Sequence, residues 1–540
     1  MAKSTPEQPD LLTQAQQIVS SFNLSPDHVH RITGHFVRQM KDGLANNRVW
    51  QLPAYIKTLP TGTEQGEFLA VDLGGSNCRV CLVELHGDST FSVIQSKHSV
   101  PPDLMVNTSH RPLFDFVAQK IAEFLASRPG RPDLSYKLGF TFSFTCEQTS
   151  LASGQLIHWD KGWDIPGAIG RDPCIMLQEA IDELGLPVLV TVLANDSVGT
   201  LLTRSYSSGP RTSTLAAVIF GTGTNAAYVE KLSNVRRLGT LANTEGIMVM
   251  NTEWGCLDDN MEVLPRTPFD DELDVVSTDP GSQMFEKRVS GLYLGELLRL
   301  AILRLVGTGG FNMRIEEKSP VFRRDGIDSS FLSELDIVGT DDIDGVVKLV
   351  QNTLSAENVS RDDAVAIQLL ATSIARRAAR LAGASLAALL IQSGRLEKSQ
   401  LRFTHREIQQ LPQSHTISHP PMGSVQRFWY SLGLLWRRFL SFVGIPQLGV
   451  KSPGIITSQH PLGLREVCPE EDIIDIGADG SLIEAHPTFQ ANMRGAMREV
   501  PEVGYAGEQR VRIALSKDGS GVGAALMAQA ASQEENSSTR

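Results

Sequence analysis

In the stretch VDLGGSNCRV, residues 71–80, an apolar run ends at Asp72 and gives way to Leu73, Gly74, Gly75, Ser76, Asn77 and Arg79. Glycine tolerates positive φ and lets a backbone come close to an anion. Successive N–H groups in such a turn make a concave anion site. Asp72 is placed to reach a Mg²⁺ ion through water, Ser76 and Asn77 offer donors, and Arg79 carries a permanent positive charge. Two readings fit these residues alone: a nucleotide-phosphate turn between two strands, or a plain hairpin with a glycine turn. The Walker pattern GxxxxGK[ST] is absent and GSGVGA (519–524) is an incomplete G-x-G-x-x-G, so neither a P-loop nor a Rossmann site is indicated.

Polar residues also punctuate other apolar runs. TFSFTCEQ puts Ser143 and Phe144 at a strand exit, and HWDKGWDIPG packs Asp160, Lys161 and Asp164 around two tryptophans. LANDSVGTLL sets Asn195 and Asp196 at the end of an apolar strand, just before a helix. An acid there is either an N-cap or a carboxylate at the strand end where α/β proteins place ligands. NTEWGCLDD adds Asn251 and Glu253, and the stretch beginning GSQMFEK adds Glu286. Asn, Asp, Glu and Lys brought together would suit a polyhydroxylated substrate, whose paired hydroxyls want bidentate partners.

These residues need strands and helices to hold them. Residues 11–45 read as helix, with Ser25-Pro26-Asp27 as a start signal inside. FLAVDLGGSNCRVCLVEL reads as two strands joined by a tight turn. Strand-like runs follow at 138–144, 188–196, 214–230 and 472–481, with helical stretches at 113–127 and 366–394. Interleaved strands and helices predict an α/β protein. An apolar strand breaks into a small-residue turn at DLGGSN (72–77), GTGTN (221–225) and KDGSGVG (517–523), which suggests two related halves, each with a phosphate-sized turn.

The chain has 540 residues, enough for two or more domains or a pair of lobes around a cleft. With 41% hydrophobic and 20% charged residues it can build a sizeable core, and a formal net charge of −12 argues against nucleic acid as a partner. The start shows no secretory pattern and no stretch of about 20 apolar residues appears, so a cytoplasmic protein without a spanning helix is expected. Nuclear or mitochondrial-surface association stays compatible with that. Of the six cysteines, Cys78 and Cys81 form a CxxC by spacing only, because i and i+3 on a strand face opposite ways; reduced thiols are expected. Residues 395–470 lack a sustained period and are sparse in acids, which marks an insertion. Within it WYSLGLLWRRFLSFVG (429–444) is apolar with paired arginines and is a candidate for docking on a protein or membrane surface.

Together the motifs resemble the eukaryotic hexokinase family, in its fungal-type form. FLAVDLGGSNCRVCLVEL, LGFTFSF, WDKGWDIP, NDSVGTLL, GTGTNAAY, NTEWG, PGSQMFEKRVSGLYLGELLR, IGADGSLIEAHPTF and DGSGVGAAL stand in family order over roughly residues 20–394 and 472–528. The resemblance implies a two-lobed actin-like, ribonuclease-H-like fold with a deep cleft, an N-terminal domain over 1–207 and a C-terminal one over 208–540. It implies ATP-dependent phosphorylation of a glucose-like hexose at the 6-hydroxyl, feeding glycolysis, with ATP and Mg²⁺. Asp196 would be the general base, with Lys161 and Arg79 supplying charge. Ser143, Phe144, Asp160, Lys161, Asn195, Asn225, Glu253 and Glu286 would hold the sugar. Asp72 to Asn77 would face the phosphates and Mg²⁺, Gly221, Thr222 and Gly223 would form the second phosphate turn, and Asp479, Gly480, Ser481, Gly519 and Ser520 would line the nucleotide end.

The chain departs from the family in three places. Thr145 replaces the proline of Ser-Phe-Pro, and Trp159-Asp160-Lys161-Gly162-Trp163 replaces Trp-Thr-Lys-Gly-Phe. Asp160 adds a negative charge beside Lys161 and the incoming phosphate, where even about 1.4 kcal/mol in the transition state is tenfold in rate. The third departure is the 395–470 segment, which reads as a regulatory insertion or as translated non-coding sequence. These departures motivate an alternative, a hexokinase-like regulatory or sugar-sensing protein with weak or absent turnover.

Overall fold

The computed structural model describes residues 10–75, 77–127, 135–159, 162–210, 212–397, 472–516 and 518–538. Ser76, Asp160, Lys161 and nearly all of the 395–470 segment, including 429–444, lie outside the described residues.

The helix-start signal is used as expected: Ser25 caps the helix Pro26–Ala45 by accepting from the His28 N–H, with Pro26 in the first turn. A preceding helix, Leu11–Ser21, starts at Asp10, whose side chain accepts from the Thr13 N–H. Short strand β1 (Leu52–Pro53) follows, and then the hairpin read from the sequence, β2 (Gln65–Gly74) and β3 (Asn77–His86). Their antiparallel ladder closes at Gly74 opposite Asn77. β4 (Phe91–Ser99) pairs with β3, while β5 (Tyr136–Phe142) and β8 (Val188–Ala194) extend the sheet in parallel, in the order β4-β3-β2-β5-β8. β6 (Thr145–Ser150) and β7 (Ser153–His158) form a separate two-stranded ribbon.

The second sheet repeats this plan. β9 (Thr214–Phe220) and β10 (Thr224–Lys231) form the hairpin, β11 (Ile247–Asn251) pairs with β10, and β14 (Ile474–Asp479) and β15 (Val511–Leu515) add in parallel beyond β9. A minor pair, β12 (Arg314–Ile315) with β13 (Ala356–Glu357), stands apart. The order β11-β10-β9-β14-β15 matches that of the first sheet, with β1 added outside β11. The two related halves suggested by the recurring turns are thus two sheets of one topology, each with its glycine turn between an antiparallel pair.

Strand alternation sorts side chains into different cores. Leu69, Val71, Leu73, Cys78 and Val80 pack with the helices Arg111–Ala126 and Pro173–Glu183. Ala70, Cys81, Val83 and Leu85 face a core shared with the helix Asp196–Ser208 and the C-terminal helix Gly519–Ser538. Cys78 and Cys81 therefore lie on opposite faces, and burial pushes both thiols up to about 12. The long helix Arg361–Gln392, opened by a Ser360–Asp363 capping box, is buried on nearly every side among the N-terminal helices and the second sheet. Packing thus crosses residue 207 in both directions. The N-terminal helices and β1 join the second sheet's side, and the C-terminal helix packs on β2, β5 and β8.

Candidate active site

Both hairpin turns open onto one cavity of about 600 Å³. At the first turn, register puts Asp72 directly across from Arg79. Arg79 donates through Nε to Asp72 Oδ2 at 3.0 Å, and Ser520 Oγ donates to the same oxygen at 2.8 Å. The Arg79 guanidinium also donates to Ser520 Oγ at 2.8 Å and lies 3.9 Å from Asp518. Burial works against the Arg79 charge, but Asp72 more than offsets it and holds the group above its ordinary range. The start of the C-terminal helix is thereby tied to the first turn. Gly75 has φ +58, a left-handed conformation that favours glycine, and among the described residues beyond its chain neighbours no atom lies within 4 Å of where a Cβ would stand.

β8 delivers the next pair. Asn195 is the N-cap of the helix Asp196–Ser208, with Oδ1 accepting from the Ser197 N–H at 2.9 Å and the Ser197 hydroxyl at 2.7 Å. The capping role therefore falls to Asn195, and Asp196 occupies the first helical position, where a helix N-terminus suits an acid. Across the cavity, Asn225 at the start of β10 donates to Asn251 Oδ1 at 2.9 Å and approaches Asn195 Oδ1 at 3.3 Å. Asn251 passes the chain on, donating to Glu253 Oε1 at 2.7 Å. Glu253 itself has φ +45, a left-handed conformation uncommon for a non-glycine residue. Glu286 accepts from the Thr224 N–H at 2.9 Å, which links it to the second turn. Behind it, Asp259 accepts from the Met284 N–H at 2.9 Å, and burial raises this carboxyl to about 6.

The second turn is held from outside. Gly221 and Thr222 carbonyls accept from the N–H groups of Gly291 at 2.7 Å and Leu292 at 3.1 Å, the first residues of the helix Gly291–Gly307. The end of β14 meets this turn. Gly480 has φ +110, and a Cβ on it would stand 2.4 Å from the Phe220 carbonyl group. Asp479 is pushed above the ordinary carboxylate range by burial and by Asp196, with the Gly480 N–H and Arg79 opposing.

The cavity lining includes Asp72, Gly74, Gly75, Asn77, Arg79, Ser143, Phe144, Asn195 and Asp196 from the first sheet's side. Gly221, Thr222, Gly223, Asn225, Glu253, Glu286, Asp479, Gly480, Ser481 and Ser520 line it as well, while the expected Ser76, Asp160 and Lys161 lie outside the described residues. Leu73 and Gly519, also expected at the site, are not among the residues lining this cavity. Leu73 alternates inward and is fully buried in the first-sheet core. The Gly519 carbonyl instead accepts from the Thr203 hydroxyl at 2.9 Å, between packed helices. Met105, Thr145, Thr200, Ile219, Thr224, Gln283 and Leu292 also line the cavity and were not assigned to it from the sequence. Thr224 was within reach of the reading, one residue before Asn225, and so was Gln283, three before Glu286 in GSQMFEK, whereas nothing local marks Met105.

Models of the hexokinase family match residues 14–206 and residues 215–416 with 450–530. A glucokinase of Aspergillus niger is 38% identical over 97% of this chain and 98% of its own length. Glucokinase-1 of Saccharomyces cerevisiae is 32% identical over 96% of this chain and 97% of its own. A solved hexokinase of Schistosoma mansoni, complexed with glucose, superposes with a TM-score of 0.75 at 28% identity, covering 96% of this chain and 99% of that one.

Proposed function

This chain belongs to the hexokinase family, and from that premise we propose that it phosphorylates a glucose-like hexose at the 6-hydroxyl, using ATP. The observation that carries this reading is the meeting, in one cavity, of Asp196, the Asn195–Asn225–Glu253–Glu286 set and two glycine turns. Amide and carboxylate groups can serve the ring hydroxyls as donors and acceptors, and their mutual hydrogen bonds hold them ready.

Asp196 accepts the proton of the 6-hydroxyl as that oxygen attacks the γ-phosphorus of ATP, and ADP leaves on the far side. In a loose transition state the proton moves late, so an ordinary carboxylate suffices. The two turns offer backbone N–H groups to the phosphate oxygens, with Arg79 and Lys161 supplying positive charge. The Asp479–Ser481 turn and Ser520 face the rest of the nucleotide. Arg79 and Ser520 both bind Asp72 through Oδ2, which suits Oδ1 for a hydrated Mg²⁺. Bound there, Mg²⁺ would neutralise charge on the phosphate oxygens. Water is excluded by closing the cleft on the sugar.

No helix among the described residues is long and apolar enough to cross a membrane. The sugar-sensing alternative is not favoured, since the chain is 38% identical to a glucokinase of Aspergillus niger over nearly its whole length. A coupled assay with glucose, fructose and mannose against ATP and Mg²⁺ tests the reading. Hexose-dependent ADP release supports it; folded protein releasing no ADP with any of the three sugars refutes it.

A further inference from the structure

Thr145 opens β6 in the wall of the cavity and is 6% exposed. Its hydroxyl has no hydrogen-bond partner among the described residues. Three other buried hydroxyls of the lining are engaged. Thr200 donates to the Asp196 carbonyl at 2.8 Å, Thr224 accepts from the Trp254 indole at 3.0 Å, and Ser520 donates to Asp72 at 2.8 Å. A buried hydroxyl left unpaired costs free energy that a polar ligand group recovers on binding. Thr145 stands where the family motif has proline, which carries no hydroxyl.

Position along the cavity decides which ligand group meets it. Ser143, two residues earlier, belongs to the phosphate end. Its N–H donates to the Leu73 carbonyl at 3.0 Å, and a Cβ on Gly74 would stand 2.8 Å from the Ser143 Cβ. Beyond Thr145 the ribbon leads the other way. β6 packs against β1, whose Leu52 pairs with Asn251. Glu147 of β6 lies 3.5 Å from Arg237, which also donates to the Gln51 carbonyl at 3.2 Å. The Gln51 N–H donates to the Thr252 carbonyl at 3.1 Å, next to Glu253. Residues 143–145 therefore run from the phosphate turn towards the Asn251–Glu253 segment. Two extended residues cover about 7 Å, close to the reach from C6 of a pyranose to its C2 hydroxyl. In that ring C2 lies opposite C5, the carbon that bears C6. With the 6-hydroxyl at Asp196 beside the phosphate turns, the C2 substituent falls at the Thr145 end.

We propose that Thr145 is a specificity-determining residue whose hydroxyl pairs with the hydroxyl at C2 of the hexose. The inference deepens the phosphotransferase reading and rests on it for the placing of the 6-hydroxyl. A threonine hydroxyl donates and accepts, so it can answer the C2 hydroxyl in either role. A sugar without that group leaves Thr145 unpaired, which is how a site built for a hydroxyl rejects the analogue lacking it.

The test compares kcat/KM for glucose and for 2-deoxyglucose, with ATP and Mg²⁺, in the wild type, Thr145→Val and Thr145→Ser. Valine keeps the branched shape that suits a strand but not the hydroxyl, and serine keeps the hydroxyl. Thr145→Val should cut the preference for glucose over 2-deoxyglucose by about threefold to tenfold, the range of one neutral hydrogen bond, with the larger loss on glucose. Thr145→Ser should keep the wild-type preference. An unchanged preference in Thr145→Val overturns the proposal, as does a serine variant that behaves like valine. Equal loss on both sugars marks a merely structural role and also overturns it. If Thr145→Val does not fold, Thr145→Ala takes its place with the same outcomes. A wild type that releases no ADP with either sugar sinks the phosphotransferase reading. Calorimetric titration of the two sugars then decides this inference by the same ratios of Kd, and a wild type that binds neither sugar overturns both.

Discussion

Gly480→Ala offers a direct probe of the nucleotide end. Gly480 has φ +110 and ψ 151, a region open essentially to glycine alone. An added Cβ would stand 2.4 Å from the Phe220 carbonyl carbon and oxygen and 2.6 Å from the Gly221 nitrogen. These are backbone atoms at the end of β9 and in the second turn, so no side-chain rotation relieves the overlap. The disfavoured conformation costs about 1–3 kcal/mol and the overlap about as much again. A whole domain is stable by only about 5–15 kcal/mol, so the cheapest response is for the 479–481 turn to move off the second turn. Losing about 1.4 kcal/mol of nucleotide binding is tenfold in affinity. Calorimetric titration should show AMPPNP–Mg²⁺ affinity down tenfold or more and a lowered Tm. Glucose affinity should change less than about threefold, because the Asn225–Asn251–Glu253 chain is held by β10 and β11. An alanine variant with wild-type Tm and wild-type AMPPNP affinity would show that the contact between the two turns does not shape the nucleotide site.

Three further outcomes are expected. Asp196→Ala should lower kcat by about 10² or more while glucose still binds; a loss under about threefold in folded protein removes Asp196 as the base. Asp160→Thr should raise kcat/KM for glucose several-fold if, as the family resemblance implies, its negative charge faces the moving phosphoryl group; an unchanged or lower value means the aspartate is used productively. For Asp259, burial raises the carboxyl from an ordinary 3.8 to about 6, although the Met284 and Gln283 N–H groups and Lys287 favour its charge. The unfolded chain therefore releases this proton first, and the stability contribution falls as pH rises from about 4 to about 6, then stays level. Asp259→Asn should gain on wild type by about 1–2 kcal/mol between about pH 4.5 and pH 7, solvent screening at this half-buried site reducing the full effect. Urea unfolding at the two pH values checks it, and a difference independent of pH would refute it.

Much of the fold was legible because its signals are local. Period-two apolar runs ending in glycine turns predicted β2–β3 and β9–β10, and Ser25-Pro26 marked a helix start. The hairpin register alone sets Asp72 against Arg79. The ND pair was read at its strand end, though which of the two residues caps the helix was settled by side-chain direction.

Other features depend on which distant surfaces pack together. Ser520 binds Asp72 across 448 positions of sequence, because the C-terminal helix returns to the first sheet. Leu73 and Gly519 sit inside the glycine-turn motifs yet face packed interiors, since strand alternation and helix contact, not motif membership, decide exposure. Asp259 and Trp163 gain their partners, the Met284 N–H and the Gly75 carbonyl, only when segments distant in sequence pack together. Sequence by itself determined the strands, the turns and the chemical types gathered at their ends, because backbone propensity and periodicity act over a few residues. Tertiary structure alone decided which buried donor meets which acceptor, because close packing leaves each polar group only the partners that the neighbouring surface brings within about 3 Å.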